Sequence, residues 1–374
     1  MDVRGRWATL THQQRRVAMF GVALAAAVLF PLVDGLLNLQ LMGAAVPIAI
    51  FVVLAVGLNI VVGYAGLLDL GYAAFFAIGA YTMAFFTSPQ SPLPFGTSFW
   101  VALGLSFFVA AGFGAVLGAP TLRLRGDYLA IVTLAFGEIV PDMVRNLEAV
   151  TRGNKGMSPI GRPTVFGFDL GQTQTDWYLL ILAVLALTVF LIVRLHDSRL
   201  GRAWKAMRED ELAAAAMGID LVQTKLLAFA LGASFSGFAG SLYAGFLQTV
   251  DPEQFRFDTS IIVLAAVILG GMGNIWGVVG GAVVIGLFDR VVADRLQGWV
   301  DGLGRALNAG FLVGLPISTS KLLVFGAALV LTMLVRLEGS FPVAPAAPEL
   351  HAGPAEAEQE RETLYDVQAE GGRR

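Results

Sequence analysis

The chain has 374 residues, 56% of them hydrophobic and only 14% charged, with no cysteine and a formal net charge of −3. Soluble domains carry about a quarter charged residues, so a mean hydropathy of +0.71 at this charge content excludes an ordinary soluble domain. The missing cysteines remove disulfides, thiol catalysis and Cys-bound metal.

The charges cluster and leave apolar runs of about 20 residues, the length at which a helix crosses roughly 30 Å of hydrocarbon. The runs do not alternate as barrel strands do. These features predict an all-α polytopic membrane protein with about ten transmembrane segments: 17–36, 41–62, 65–86, 99–120, 128–145, 177–195, 225–248, 259–273, 275–292 and 318–337. Residues 1–16 form a cytoplasmic N-terminal segment in this reading. Arg4, Arg6, Arg15 and Arg16 before the first run resemble a signal peptide, but the run is long and further spans follow, so a retained span is expected. The eighth segment is short, and with the ninth it is expected to form a broken or re-entrant pair, which membranes tolerate where protein or water covers the backbone.

Basic residues concentrate on one side, with Arg123, Arg125, Arg194, Arg199, Arg202, Lys205, Arg208, Lys225 and Arg336 joining the N-terminal arginines. Basic loops stay in the cytoplasm, so both termini are expected there, in a bacterial inner membrane. Arg152, Lys155 and Arg162 fall on the opposite side against the rule. Residues 17–337 form the transmembrane domain, and 338–374, rich in Ala, Pro, Glu and Gly, reads as a disordered cytoplasmic tail.

Small residues mark close helix contacts in lipid. Ala228, Gly232, Ser236, Gly240 and Ala244 recur every four residues, which suits either helix packing or a pore-lining, sliding face. Two glycine-rich stretches, 57–71 and 269–281, each set an asparagine among glycines, Asn59 and Asn274. Interrupted segments in two loosely repeated halves point to a central solute path. Candidate path residues are Asn59, Gly66, Asp69, Gly71, Glu138 and Asn274. An acid at mid-bilayer is costly and usually faces water or the protein interior. Glu138 therefore lines the path or pairs with an arginine, unless the helix breaks near Pro141 and leaves it at the interface. Asp69 is placed either in a span or at its edge.

No lysine follows a glycine, so there is no Walker A loop. His12, His196 and His351 all lie in predicted loops or tails, which leaves the serines of GASFSG (232–237) without a base and removes a His-bound metal in the bilayer. An enzyme is not expected, nor any cofactor bound by this chain, nor a nucleic-acid partner.

The loop 197–224 is polar, basic and alanine-rich between two apolar segments. It reads as one or two short helices, with Gly218 as the stop after Ala203–Ala216. Arg208, Glu209, Asp210 and Glu211 make a charged face and 213–217 a small apolar one, suited to a groove on another protein. A solvated, orientation-setting loop is the plainer alternative.

Residues 198–244, SRLGRAWKAMREDELAAAAMGIDLVQTKLLAFALGASFSGFAGSLYA, resemble the segment found in permeases of branched-chain amino acid ABC importers of the LivM type. Gly57–Tyr81, Leu124–Ile139 and Leu269–Gly281 agree in family order, and the likeness covers about 40–337. Asp210 stands where the family commonly has Asn. The resemblance implies a half-transporter: a paralogous permease completes the path, two cytoplasmic ATPases hydrolyse ATP, and a periplasmic or extracellular binding protein delivers the solute. Gly201, Arg202, Arg208, Glu209, Glu211, Ala213 and Gly218 match the ATPase-coupling segment, and Asp210 lies within it. A urea or short-amide permease keeps the same fold with another cargo, and a channel or secondary transporter without ATPase is the rival of another class.

Overall fold

The computed structural model describes residues 12–37, 41–92, 96–121, 127–165, 168–306 and 321–335. The apolar runs fold as helices because a buried backbone must satisfy its own hydrogen bonds. In chain order these are α1 (His12–Leu37), α2 (Met42–Asn59) continuing into a π turn (Ile60–Tyr64), α3 (Tyr72–Thr87), α4 (Phe99–Thr121) and α5 (Asp127–Asn146). After the short α6 (Glu148–Thr151) come α7 (Gln174–His196), α8 (Arg199–Glu209), α9 (Glu211–Ala216) and α10 (Leu221–Leu247). The series ends with α11 (Phe257–Gly270), α12 (Ile275–Leu287), α13 (Ala293–Ala306) and α14 (Lys321–Val335). The strands among the described residues are two-residue pieces, β1 (Thr164–Val165) against β2 (Phe168–Asp169), antiparallel in an extramembrane loop.

A helix lies over each predicted apolar segment. Among the described residues five helices are long and apolar enough to cross a bilayer: Met42–Tyr64, Phe99–Ala119, Gln174–His196, Leu221–Leu247 and Ile275–Asp301. Leu24–Leu37, Tyr72–Thr87 and Leu323–Thr332 are shorter apolar helices. The predicted tail 338–374 and the arginines 4, 6, 123, 125 and 336 lie outside the described residues.

One expectation is corrected and two open alternatives are decided. The third segment does not begin at 65. Gly66 takes a left-handed φ of 68°, and the chain stays irregular to Gly71, where the Asp69 carboxylate accepts the Gly71 N–H at 2.9 Å. The helix over 128–145 does not break at Pro141 but runs on to Asn146. Glu138 forms no ion pair among the described residues; Arg145 instead bridges Asp142 at 2.7 Å and Glu253 at 3.1 Å.

Helix α10 is the central mast, packed on α2, α3 and α4. Its small-residue stripe is wholly buried. A Cβ on Gly240 would lie 2.0 Å from the Phe76 carbonyl oxygen, and one on Gly79 the same distance from that of Gly237. Helix packing, not a sliding face, is thus the role of this stripe, since lipid offers no hydrophobic drive and close backbone approach supplies dispersion instead. The Tyr72 hydroxyl donates to the Gly232 carbonyl and Ser236 donates to that of Tyr72, so the start of α3 is fixed halfway along α10.

The connections sort into two groups. On one side the α7–α10 connection, the π turn and the turn 271–274 touch one another. On the other, Gln90 accepts from Ser158 N–H, Thr87 from Gly161 N–H and the Thr164 carbonyl from the Trp100 indole. Met157 bridges to Val250 there as well.

Candidate functional site

The segment after α7 folds as two helices, not one. Ser198 caps α8 by accepting from the Gly201 N–H. Asp210 breaks the run and caps α9, accepting from the N–H groups of Leu212 and Ala213 at 2.8 and 3.0 Å. An Asp side chain satisfies the orphan donors of a helix start, so the position where the family commonly has Asn is filled by an equivalent cap. Gly218, at φ 85°, ends α9. Its N–H reaches the Ala215 carbonyl and that of Ile219 the Ala214 carbonyl, the Schellman pattern expected of this glycine.

Amphipathic α8 buries Gly201, Trp204 and Met207, three residues apart. Trp204 is fully buried, its indole N–H donating to the Thr224 carbonyl at 2.8 Å. Glu211 pairs at 2.6 Å with Lys225, whose side chain is almost completely buried. The pair locks the start of α9 to the second turn of α10.

Arg208 turns toward the membrane body. Its guanidinium donates to the Gly63 carbonyl in the π turn, its side chain crosses Gly66, and it comes beside Gly273. Gly273 N–H in turn donates to Asn59 Oδ1 at 2.9 Å. A Cβ on Gly63 would sit 2.6 Å from Gly273 N. The two glycine-rich stretches therefore meet, and the guanidinium of the loop helix lies on the joint. Asn274 caps α12, accepting from the Trp276 N–H. His196 and Tyr64 stack against the same corner, with ring centroids 4.9 Å apart.

Asn59, Gly66 and Asn274 are thus brought together with Arg208. Asp69 and Gly71 lie apart from them, against α5: Asp69 is 1% exposed, Thr133 accepts from the Leu70 N–H, and a Cβ on Gly71 would meet the Thr133 carbonyl. Asp69 is therefore enclosed by protein. Glu138 sits on the exposed side of α5, away from both groups.

The predicted charged face is divided: Glu211 turns to Lys225 and the Arg208 guanidinium to Gly63, while Arg208 stays exposed along with Glu209 and Asp210. The outward surface of this segment also includes Arg202, Lys205, Ala213 and Gly218 with Leu212 and Met217, the last two 70% and 84% exposed. Trp204, Lys225, Gly63 and Gly273 carry the contacts that sequence reasoning missed. The spacing of Gly201, Trp204 and Met207 on an otherwise polar helix was the legible signal for the buried face. Nothing in sequence foretold the partner of Lys225. Among the described residues no cluster of His, Cys, Asp and Glu fits a metal ion.

The family model for the branched-chain amino acid transport system permease component matches residues 40–333. The LivM permease protein of the high-affinity branched-chain amino acid transport system of Salmonella typhimurium is 38% identical over 332 residues, covering 83% of this chain and 72% of the relative. The probable LivM of Methanocaldococcus jannaschii is 26% identical (79% of this chain, 91% of the relative), and LivH of Escherichia coli 24% identical (66% and 83%). No solved structure matches the chain. A capped, clamped loop helix pair, two interrupted segments that meet beneath it, and matches running from α2 to α14 have one reading: this chain is a multi-pass membrane protein of the branched-chain amino acid transport permease family, a transport component and not an enzyme.

Proposed function

We propose that this permease imports branched-chain, or other apolar, amino acids. In this reading it is half of the membrane body of an ATP-driven importer. A paralogous permease completes the path, two cytoplasmic ATPases dock on the 197–224 segment, and a binding protein delivers solute on the other side. The names of the relatives support the cargo.

The observation that carries the coupling role is the clamp of Arg208 on the Gly63 carbonyl beside Gly273. A push on α8 and α9 reaches the joint of the interrupted segments through one side chain. Leu212 and Met217, left exposed on the opposite side, supply the apolar knob that a groove on an ATPase would take. ATP binding draws the ATPases together, and the segment passes that displacement to the joint. Each state of the path is then favoured by different partners, as alternating access requires.

The sorting of connections into two groups supports ten crossings of the inner membrane by residues 17–337. The side bearing Arg199, Arg202, Lys205 and Arg208 is cytoplasmic by the positive-inside rule. Both termini then lie in the cytoplasm.

The test uses the complete transporter in liposomes. Reversing charge at Glu211 (Glu211→Lys), which sets two cations against each other at Lys225, is expected to leave nucleotide hydrolysis running and lower leucine uptake about ten-fold, a loss of about 1.4 kcal/mol in coupling. Uptake driven by an ion gradient with this chain alone would contradict the reading.

A further inference from the structure

Helix α5 carries one exposed stripe, formed by Tyr128, Ile131, Val132, Ala135 and Ile139, with Glu138 among them. Glu138 is eleven residues from the start of a 20-residue helix. At 1.5 Å per residue it lies about 16 Å along an axis of about 30 Å, close to the middle of a bilayer. A carboxylate at that depth is costly in plain lipid and normally faces water or another polar group. Among the described residues it has no such group: no ion pair reaches it, and Arg145, on the same helix, is already held by Asp142, Glu253 and Asn154. The other side of α5 is closed by Gly71 and Thr133 against the start of α3, so the helix cannot turn its acid inward.

We propose that this stripe of α5 is a wall of the solute path and that the Glu138 carboxylate receives the α-ammonium of a zwitterionic amino acid. Ala135 lies one helical turn before it, Ile131 two turns before it and Ile139 next to it, and together they give the aliphatic side chain an apolar surface. The ligand class follows from the two chemistries set side by side, a carboxylate with no ion pair among the described residues and an aliphatic strip; Asp142, one turn further along the same face, is already paired with Arg145. The inference rests on the permease reading and deepens it.

The native chain has no cysteine, so Ala135→Cys and Ile131→Cys give single thiols in this subunit. In the assembled transporter in liposomes, a cationic water-soluble thiosulfonate is expected to modify both, and binding protein loaded with leucine plus ATP to slow modification at least about five-fold, as occupancy of a shared site does. Glu138→Gln is expected to lower leucine uptake about ten-fold while binding-protein-stimulated ATP hydrolysis stays within about two-fold, and Glu138→Asp to keep most uptake, because a carboxylate rather than a shape is required. Thiols that the reagent never reaches would place the stripe in lipid or in a dry contact with the second permease and overturn the proposal. So would normal uptake by Glu138→Gln. A wild-type complex without ATP-dependent uptake would instead sink the permease reading itself. If Glu138→Gln fails to assemble, the two thiol variants decide alone.

Discussion

Arg208 and Lys225 have opposite relations to their surroundings. Lys225 is nearly enclosed, and among the described residues its charge is met by Glu211. Removing one member of such a pair strands the other, at a cost of several kcal/mol when both are enclosed; Glu211 keeps about a third of its surface exposed, so the loss is smaller. Glu211→Gln is therefore expected to lower the unfolding midpoint of the detergent-solubilised permease by a few degrees. The double variant Glu211→Leu/Lys225→Met should recover most of that loss in the same melt, since an apolar pair replaces a desolvated ionic one. A double variant no better than the single one would mean that the pair is not the anchor. Arg208 keeps one side open, and its guanidinium caps a carbonyl that the π turn leaves free. Arg208→Ala is expected to leave the melting temperature little changed but to reduce solute moved per ATP hydrolysed by about ten-fold, which separates transmission from stability. Both residues stood in the sequence as part of a basic loop. Their charges were legible as orientation signals, but their partners lie in distant segments, so direction was invisible before the fold.

Among the elements, the helices were legible and their ends less so. Apolar runs and flanking charges located α1 to α5, α7, α10 to α12 and α14. The start of α3 was misplaced because its break depends on Gly66, Asp69 and a hydroxyl from α5, not on composition. The predicted segment 128–145 extends past Pro141 with a break there left open, and the helix runs through it to Asn146. The four-residue stripe of α10 identified close packing correctly but not which helices it meets. Gly240→Val is expected to abolish insertion of a folded permease, because backbone, not a yielding side chain, blocks the new atoms. Gly280→Ala, with open space at that point, is expected to be neutral. Yield of monodisperse protein after solubilisation distinguishes the two, and equal yields would contradict the packing account.

At the scale of the whole molecule, the chain presents a rigid mast, α10, with a lever at its base. The lever, α8 and α9, is bound to the mast by Trp204 and Lys225 and to the interrupted segments by Arg208. The free surface of α9, Leu212 and Met217 with Ala213, Ala215 and Ala216, is small and apolar, and it ends at the Gly218 turn. Nothing within the described residues covers Leu212 or Met217. The most direct measurement is therefore a cross-link. With Leu212→Cys as the single thiol of this chain, a short bifunctional reagent should join it to an ATPase subunit in the assembled transporter, at a rate that changes at least about three-fold between nucleotide-free and ATP-bound states, as a population shift of two conformers demands. A cross-link that forms to no ATPase, or at one rate in every nucleotide state, would contradict the claim that this segment is where ATP's work enters the membrane body.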